Sequence, residues 1–169
     1  MPTALLVIAP EGFRDEEYAH PKEVLERRGV TVVTASVAPG PCRGKLGMTA
    51  RADVALSEAD TEDYDAVAFV GGPGASIFFD DEAAQRFAAA MDTAGKVVAA
   101  ICIAPSTLAR AGLLAERAAT AFPDRADDLI AHGARFTGAD VEIDGHIVTA
   151  NGPAAARSFG DAIADLLEP

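Results

Sequence analysis

Cys102 stands where an apolar run, residues 97–101, gives way to a helix-like segment that begins near Pro105. A thiol at a strand-to-helix turn lies beside unpaired backbone N–H groups and the positive end of the helix dipole, and both favour the thiolate. Free cysteine is also among the residue types most often buried as small hydrophobes. The position therefore leaves two interpretations open, a nucleophile and a packing residue.

Glu17 is the carboxylate that is best placed to assist a thiol. It closes the acidic run of residues 15–17 at the start of a predicted helix, where capping is the ordinary role of each acidic side chain. If Glu17 instead turned inward, burial would raise its pKa, and the protonated carboxyl would hydrogen-bond a sulfur anion. His20 lies three residues later on nearly the same helix face. It is the histidine that we expect to approach Cys102, with packing at a subunit interface as the alternative.

The segment GGPGA, residues 71–75, follows a second apolar run. It lacks the glycine spacing of a dinucleotide-binding loop and the lysine of a P-loop. Two interpretations remain: a tight turn that needs glycine backbone angles, or a set of backbone N–H groups aimed at a developing negative charge. Because Pro73 has no N–H, Gly72 is the expected oxyanion donor. The amide of Ile103, next to the thiol, is the expected second donor.

The remaining candidate residues border the expected site. We expect Phe13 and Phe122 to provide apolar walls of a pocket that includes Gly71, with Arg14 and Asp124 at its edge. The histidines and cysteines do not have the spacing of a metal-ligand set. We therefore expect neither a metal nor another cofactor.

Strand-like and helix-like runs alternate along the chain, which is typical of an α/β fold with a mostly parallel sheet and helices on both faces. Near the C-terminus, the Asp144-Gly145 pair predicts a β-hairpin within residues 141–150. In such folds ligands bind at the carboxyl ends of the parallel strands. Four segments are predicted to meet there: residues 10–17, 71–75, 102 and 120–124.

Length and charge narrow the function. The 169 residues fit a single domain, residues 1–169, and the net charge of −12 argues against nucleic acid and anionic membranes as partners. No apolar run is long enough to span a bilayer, and the apolar opening lacks the basic leader of a signal peptide. Because Cys42 is the only other cysteine, a disulfide framework is not expected. A cytoplasmic protein is the expectation.

Four motifs occur in an order that identifies a family. They are E-x-x-x-P at residues 17–21, the Gly71-Gly72 turn, AAIC-x-x-P around Cys102, and NGP at residues 151–153. With them the chain resembles the DJ-1/PfpI superfamily over nearly its whole length. The resemblance implies a flavodoxin-like three-layer sandwich, with Cys102 as a reactive thiol on a strained elbow and Glu17 as a protonated carboxyl contacting it. It also implies a homodimer or a larger homo-oligomer.

Two departures from the family pattern bear on the chemistry. Peptidase-like members carry a histidine directly after the nucleophile, where this chain has Ile103. Other members place a histidine in a Thr-x-His-Pro segment, where this chain has Phe122. Without either base, amide hydrolysis is disfavoured, and the chemistry is expected to depend on a thiol that is already largely ionised.

Three functions are compatible with these residues. The first is an enzyme, similar to glyoxalase III or to a deglycase, in which Cys102 attacks small reactive carbonyls. Glu17 would move protons there, while Gly72 and Ile103 would stabilise the oxyanion. The second is a non-enzymatic oxidative-stress sensor or chaperone that responds to oxidation of Cys102. The third is an intracellular peptidase or amidase of the PfpI type. The expected partner is thus a small electrophilic substrate or an oxidant.

Overall fold

The computed structural model describes residues 1–168, in which strands and helices alternate along the chain. The strands are β1 (Thr3–Val7), β2 (Glu11–Phe13), β3 (Thr31–Ser36), β4 (Gly40–Gly44), β5 (Thr49–Ala52), β6 (Val54–Ala55), β7 (Ala66–Phe69), β8 (Val97–Ile101), β9 (Ala118–Ala119), β10 (Arg135–Phe136), β11 (Val141–Asp144) and β12 (Ile147–Ala150). The helices are α1 (Asp15–Arg27), α2 (Glu82–Thr93), α3 (Pro105–Arg110), α4 (Ala126–Ala131) and α5 (Ala156–Leu167).

Seven strands form the central sheet in the order β11-β12-β8-β7-β1-β3-β6. All neighbouring pairs are parallel except β11 and β12, which form the predicted hairpin. Gly145, in the two-residue loop of this hairpin, has a φ of 63°, a left-handed conformation that favours glycine. Because β7 lies between β1 and β8, the loops that follow these three strands are neighbours at one edge of the sheet.

Helices cover both faces of the sheet, as the three-layer sandwich requires. Successive residues of a strand point to opposite faces, so Leu6 packs in the core beneath α1 and α5, beside Phe159. Leu5 points the other way, into the core beneath α2, α3 and α4, with Met91 and Leu108. This burial on both sides explains the continuously apolar strands of the sequence. The prediction of a flavodoxin-like α/β fold is confirmed.

Two segments differ from the sequence prediction. The Gly/Pro-rich segment APGPCRGKLGM, residues 38–48, has a composition that predicts a loop, yet it contains β4, which pairs with β2 and β5 in a separate three-stranded sheet. In β4 buried Cys42 and Gly44 alternate with exposed Pro41 and Arg43, a period-two pattern that the turn-forming composition obscured. The predicted strand near residue 120 is only β9, which pairs with β10 outside the central sheet.

Within residues 1–168 no helix has both the length and the apolarity that a bilayer crossing requires.

The position of α1 is fixed by close contact with α5. Gly160 of α5 is fully buried, and a Cβ atom there would lie 2.9 Å from the Cα of Pro21 and 3.2 Å from the Cβ of Val24. Pro21 stands four residues after Glu17 and has no N–H to donate to the Glu17 carbonyl. The E-x-x-x-P motif thus places Pro21, which has no backbone N–H, against α5 one helical turn after Glu17.

We expect Gly160→Ala to destabilise the protein by about 1–2 kcal/mol, because the clash with Pro21 outweighs the gain in helix propensity of about 1 kcal/mol. Urea denaturation at constant pH measures the difference. Gly152→Ala is the matched control, since a Cβ atom there meets nothing within 4 Å. An unchanged stability of Gly160→Ala would contradict the close approach of the two helices.

Candidate active site

Cys102 lies on a strained elbow directly after β8. Its φ is 64°, and Glu116 is the only other non-glycine residue of the described chain with a positive φ. Such a conformation persists only where the surroundings hold it. Here the Cys102 N–H donates to the carbonyl of Ala150 at 2.9 Å, and the Cys102 carbonyl accepts from the N–H of Phe122 at 2.8 Å. The end of β12 and the segment after β9 therefore fix the elbow from both sides.

The three acidic residues at the start of α1 have three different contacts. The Asp15 carboxylate accepts from the N–H groups of Leu46 and Met48, at 3.0 and 2.9 Å. The Glu16 carboxylate forms a bidentate pair with the Arg14 guanidinium, with two bonds of 3.0 Å. No side chain caps the helix. Capping, the ordinary expectation for these residues, is therefore wrong for all three.

Glu17 turns into the protein and is completely buried. Neither of its carboxyl oxygens has a hydrogen-bond partner of regular geometry. The groups that favour its ionised form are the Cys102 thiol, Arg14 and the N–H of Gly71, but burial outweighs them and raises the pKa of Glu17 to about 7. A buried carboxyl of this kind is the inward-turned acid that the sequence analysis considered.

Gly71 allows the thiol and the carboxyl to approach each other. A Cβ atom at this position would collide with the Glu17 carboxyl and with the Cβ of Cys102, and would lie 2.7 Å from the carbonyl oxygen of Ile101. The carbonyl of Gly71 also accepts from the N–H of Arg14 at 2.9 Å, which joins the loop after β7 to the start of α1. The absence of a side chain at Gly71 thus lets the thiol and the carboxyl lie close together.

Cys102 is half-buried at the base of a pocket of about 430 Å³. The loops that follow the parallel strands, together with neighbouring segments, form the walls, as the sequence predicts. The pocket-lining residues are Arg14, Glu17, Lys45, Gly72, Pro73, Ile103, Phe122, Asp124 and Pro153. The pocket thus collects four of the predicted site residues around the thiol, together with both edge residues, whereas Gly71 does not line it.

Gly72 and Ile103 lie where the oxyanion donors were expected. Backbone N–H groups of both residues lower the pKa of Cys102, which places them beside the sulfur. Gly72 has a φ of 99°, and a Cβ atom there would collide with the backbone of residues 12–14. The glycine is therefore required both for the turn and for the close approach of the loop after β1.

Two predicted site residues are elsewhere. Phe13 was expected to line the pocket, but it is fully buried and packs edge-on against Tyr18 with ring centroids 5.6 Å apart. His20 was expected to approach Cys102, yet it does not line the pocket, and its charge acts on Glu16. A residue three positions along a helix shares a face but lies about 4.5 Å further along the axis. For His20 this displacement leads away from the strand ends.

The thiol and the carboxyl share their protons. Burial raises the pKa of Cys102 to about 12, and the negative charge of an ionised Glu17 adds to this effect. The pair therefore releases one proton near pH 7 and keeps the second far above neutral pH. Two arrangements of the remaining proton carry the same charge: thiolate with neutral acid, and thiol with carboxylate. Because burial outweighs the two backbone donors, the largely ionised thiol that the sequence predicts requires that the remaining proton be on Glu17.

Lys45 is a charged pocket residue that the sequence did not predict. It lies in the turn between β4 and β5, and that hairpin was predicted as an irregular loop. The contact depends on the pairing of β4 with β2, for which the local sequence gives no signal. Among the described residues there is no group of three or more histidine, cysteine or acidic side chains arranged to hold a metal ion.

The parallel α/β sandwich with a cysteine on a positive-φ elbow defines a class of proteins. The model of the DJ-1/PfpI family matches residues 2–166, and the chain belongs to that family.

Relatives with names and solved structures lie within this family. A deglycase from Pyrococcus abyssi is 34% identical over 149 residues, which are 88% of this chain and 90% of that protein. A glutathione-independent glyoxalase from Caenorhabditis elegans is 27% identical over 166 residues, 98% of this chain and 89% of that protein. The crystal structure of a ThiJ/PfpI domain protein from Brachyspira murdochii superposes with a TM-score of 0.96 at 33% identity, covering 98% of this chain and 95% of the other.

The raised pKa of Glu17 predicts a pH-dependent cost in stability. The folded protein binds this proton more tightly than the unfolded chain, so the stabilisation is complete below about pH 4.5 and is lost as the pH rises through about 7. Relative to wild type, Glu17→Gln should therefore gain up to about 3 kcal/mol of unfolding free energy between pH 4.5 and 8. Urea denaturation across this range measures the difference.

Glu16→Gln is the control, and its effect has the opposite sign. The pair with Arg14 lowers the pKa of Glu16, so its stabilisation is present at neutral pH and disappears in acid. Parallel pH profiles for wild type and Glu17→Gln would show that the Glu17 carboxyl is not buried in the folded protein.

Proposed function

We propose that this protein is an enzyme that acts on small reactive carbonyl compounds, of which α-oxoaldehydes such as methylglyoxal and their adducts are the simplest. Cys102 is the nucleophile and Glu17 is the group that moves protons. The observation that carries this proposal is the half-buried thiol on a strained elbow beside a fully buried carboxyl whose oxygens have no hydrogen-bond partner of regular geometry. The names of the relatives, a deglycase and a glyoxalase, support the same class of substrate.

The first step is the addition of the thiol to the aldehyde. The sulfur forms a bond to the carbonyl carbon, the π electrons of the carbonyl move to oxygen, and the thiol proton goes to the Glu17 carboxylate. The backbone N–H groups of Gly72 and Ile103, which lie beside the sulfur, stabilise the oxyanion. Glu17 then returns its proton to that oxygen, which gives a neutral hemithioacetal. A pKa of about 7 suits Glu17 to both transfers at neutral pH.

For an α-oxoaldehyde the same carboxylate completes the reaction. Glu17 removes the proton from the former aldehyde carbon, and a proton is delivered to the neighbouring carbonyl carbon through an enediol. The first carbon is oxidised to a thioester and the second is reduced to an alcohol, so no external oxidant or reductant is needed. Water then cleaves the thioester, which releases a 2-hydroxy acid and restores the thiol.

The pocket is less suited to amide hydrolysis. An amine leaving group needs a proton from a general acid, which is histidine in most cysteine hydrolases. None of the residues that line the pocket in the described chain is a histidine, and Ile103 and Phe122 are both apolar. Glu17 is the titratable group that acts directly on the sulfur, and a single carboxyl beside the nucleophile favours carbonyl addition over peptide cleavage.

Cys102→Ser should reduce the consumption of methylglyoxal by about 100-fold or more, because a serine hydroxyl without a strong base is a poor nucleophile. The rate is followed by loss of the dicarbonyl and by appearance of lactate. Cys42→Ser, at a buried cysteine outside the pocket, is the matched control and should retain wild-type activity. Circular dichroism and urea denaturation confirm that both variants are folded.

Three outcomes would count against the proposal. Equal rates for wild type and folded Cys102→Ser would exclude the thiol as the nucleophile. A wild-type protein that consumes no carbonyl compound, but gains oxygen atoms at Cys102 in dilute peroxide by intact-protein mass spectrometry, would instead support the oxidant-sensing alternative. Cleavage of a peptide reporter that depends on Cys102 would support the peptidase alternative.

A further inference from the structure

Lys45 lies at the thiol pocket, and its ammonium has no hydrogen-bond or ion-pair partner among residues 1–168. The chain contains three lysines, Lys22, Lys45 and Lys96. The ammonium of Lys22 pairs with Glu26 at 2.6 Å, and that of Lys96 donates to the carbonyl of Thr61 at 2.8 Å. In the described chain the Lys45 ammonium makes no hydrogen bond and no ion pair, although it lines the same pocket as Cys102.

The backbone that carries Lys45 is held in place. Its N–H donates to the carbonyl of Phe13 at 2.8 Å, and the Gly44 N–H donates to the carbonyl of Met48 at 2.7 Å. The Asp15 carboxylate accepts from the N–H groups of Leu46 and Met48 and lies against Gly44, where a Cβ atom would collide with it. A tether from the half-buried Asp15 of α1 thus fixes the turn, so the fold holds the backbone of the exposed Lys45 at the pocket.

A second cation lies on the pocket wall. The Arg14 guanidinium bonds Glu16 through Nε and Nη2, so its third nitrogen, Nη1, takes no part in that pair. The opposing charges at the pocket are those of Glu17 and Asp124. Glu17 becomes neutral when it takes the thiol proton. The single negative charge of the pair then lies on the sulfur, so Lys45, which has no ion-pair partner among the described residues, remains available to a second negative charge in the pocket, although the exposed carboxylate of Asp124 lines it too.

We propose that the substrate of this site carries a carboxylate beside its reactive carbonyl, and that Lys45 binds this carboxylate. The inference rests on the proposed function, since it names the class of carbonyl compound that Cys102 attacks. A small 2-oxo acid or aldehyde acid, of which glyoxylate is the simplest, fits the pocket of about 430 Å³. The negative charge of Asp124, which lines the same pocket, opposes such a ligand, so the attraction to Lys45 must exceed this repulsion.

Two alkylating reagents of similar size test Lys45 without any turnover. Iodoacetate carries a carboxylate and iodoacetamide is neutral, and with both reagents sulfur displaces iodide while the thiol proton is lost to solvent. The ratio of the two rate constants at Cys102, measured by intact-protein mass spectrometry, reports attraction of the anion. Lys45→Gln should lower this ratio about threefold to fivefold, with the iodoacetamide rate unchanged.

Three further variants separate binding by Lys45 from a general change of charge. Lys45→Arg should retain the wild-type ratio, because it preserves the positive charge. Lys22→Gln removes the same charge outside the pocket and should leave the ratio unchanged. Asp124→Asn should raise the ratio. The same ratio in wild type and Lys45→Gln, or an equal loss in Lys22→Gln, would overturn the proposal.

Protection by reversible ligands completes the test. Glyoxylate should slow the alkylation of wild type by iodoacetamide at lower concentrations than glyoxal does, and Lys45→Gln should remove this preference. Equal protection by the two compounds would overturn the assignment. Because alkylation and protection need only a reactive thiol, these results stand whether or not methylglyoxal is consumed. A failure of the carboxylate assignment is thereby distinguishable from a failure of the carbonyl chemistry.

Discussion

The site depends on the enclosure of one carboxyl and one thiol beside each other, the carboxyl fully buried and the thiol half-buried at a pocket. Neither Glu17 nor Cys102 loses its proton easily there, because burial raises the pKa of both groups. Since each negative charge opposes the other, the two groups keep one proton between them. Reactivity at neutral pH is thus a property of the pair. The sulfur becomes anionic when the remaining proton is on the carboxyl, and no separate base is required.

Several distant features of the fold maintain this enclosure. Gly71 removes the side chain that would separate the two groups, and the contact of Pro21 with Gly160 fixes the helix that carries Glu17. The bonds of Cys102 to Ala150 and Phe122 hold the elbow in a conformation that the peptide would not adopt alone. These ties come from the layer of α1 and α5, from the loops and from the strand ends, so several parts of the sandwich together position two side chains.

The sequence predicted the features that depend on local pattern. Apolar strands, the hairpin at Gly145 and the turn at Cys102 have short-range signatures, and the order and spacing of four motifs identified the family and predicted an inward-turned Glu17. Long-range features were not accessible. Helical spacing gives rotation about an axis but not distance along it, so His20 was misplaced. The pairing of β4 with β2, which brings Lys45 to the pocket, leaves no trace in the residues between them.

The bond between Phe122 and the elbow involves only a peptide nitrogen, while the aromatic ring of the same residue is 42% exposed at the pocket rim. The backbone N–H of Phe122 therefore holds the elbow whatever side chain the residue carries, whereas its ring shapes the entrance of the pocket. Replacement of the ring can alter the shape of the entrance while the backbone bond survives. Substitutions at this position can therefore change which molecules enter the pocket without changing the conformation of the elbow.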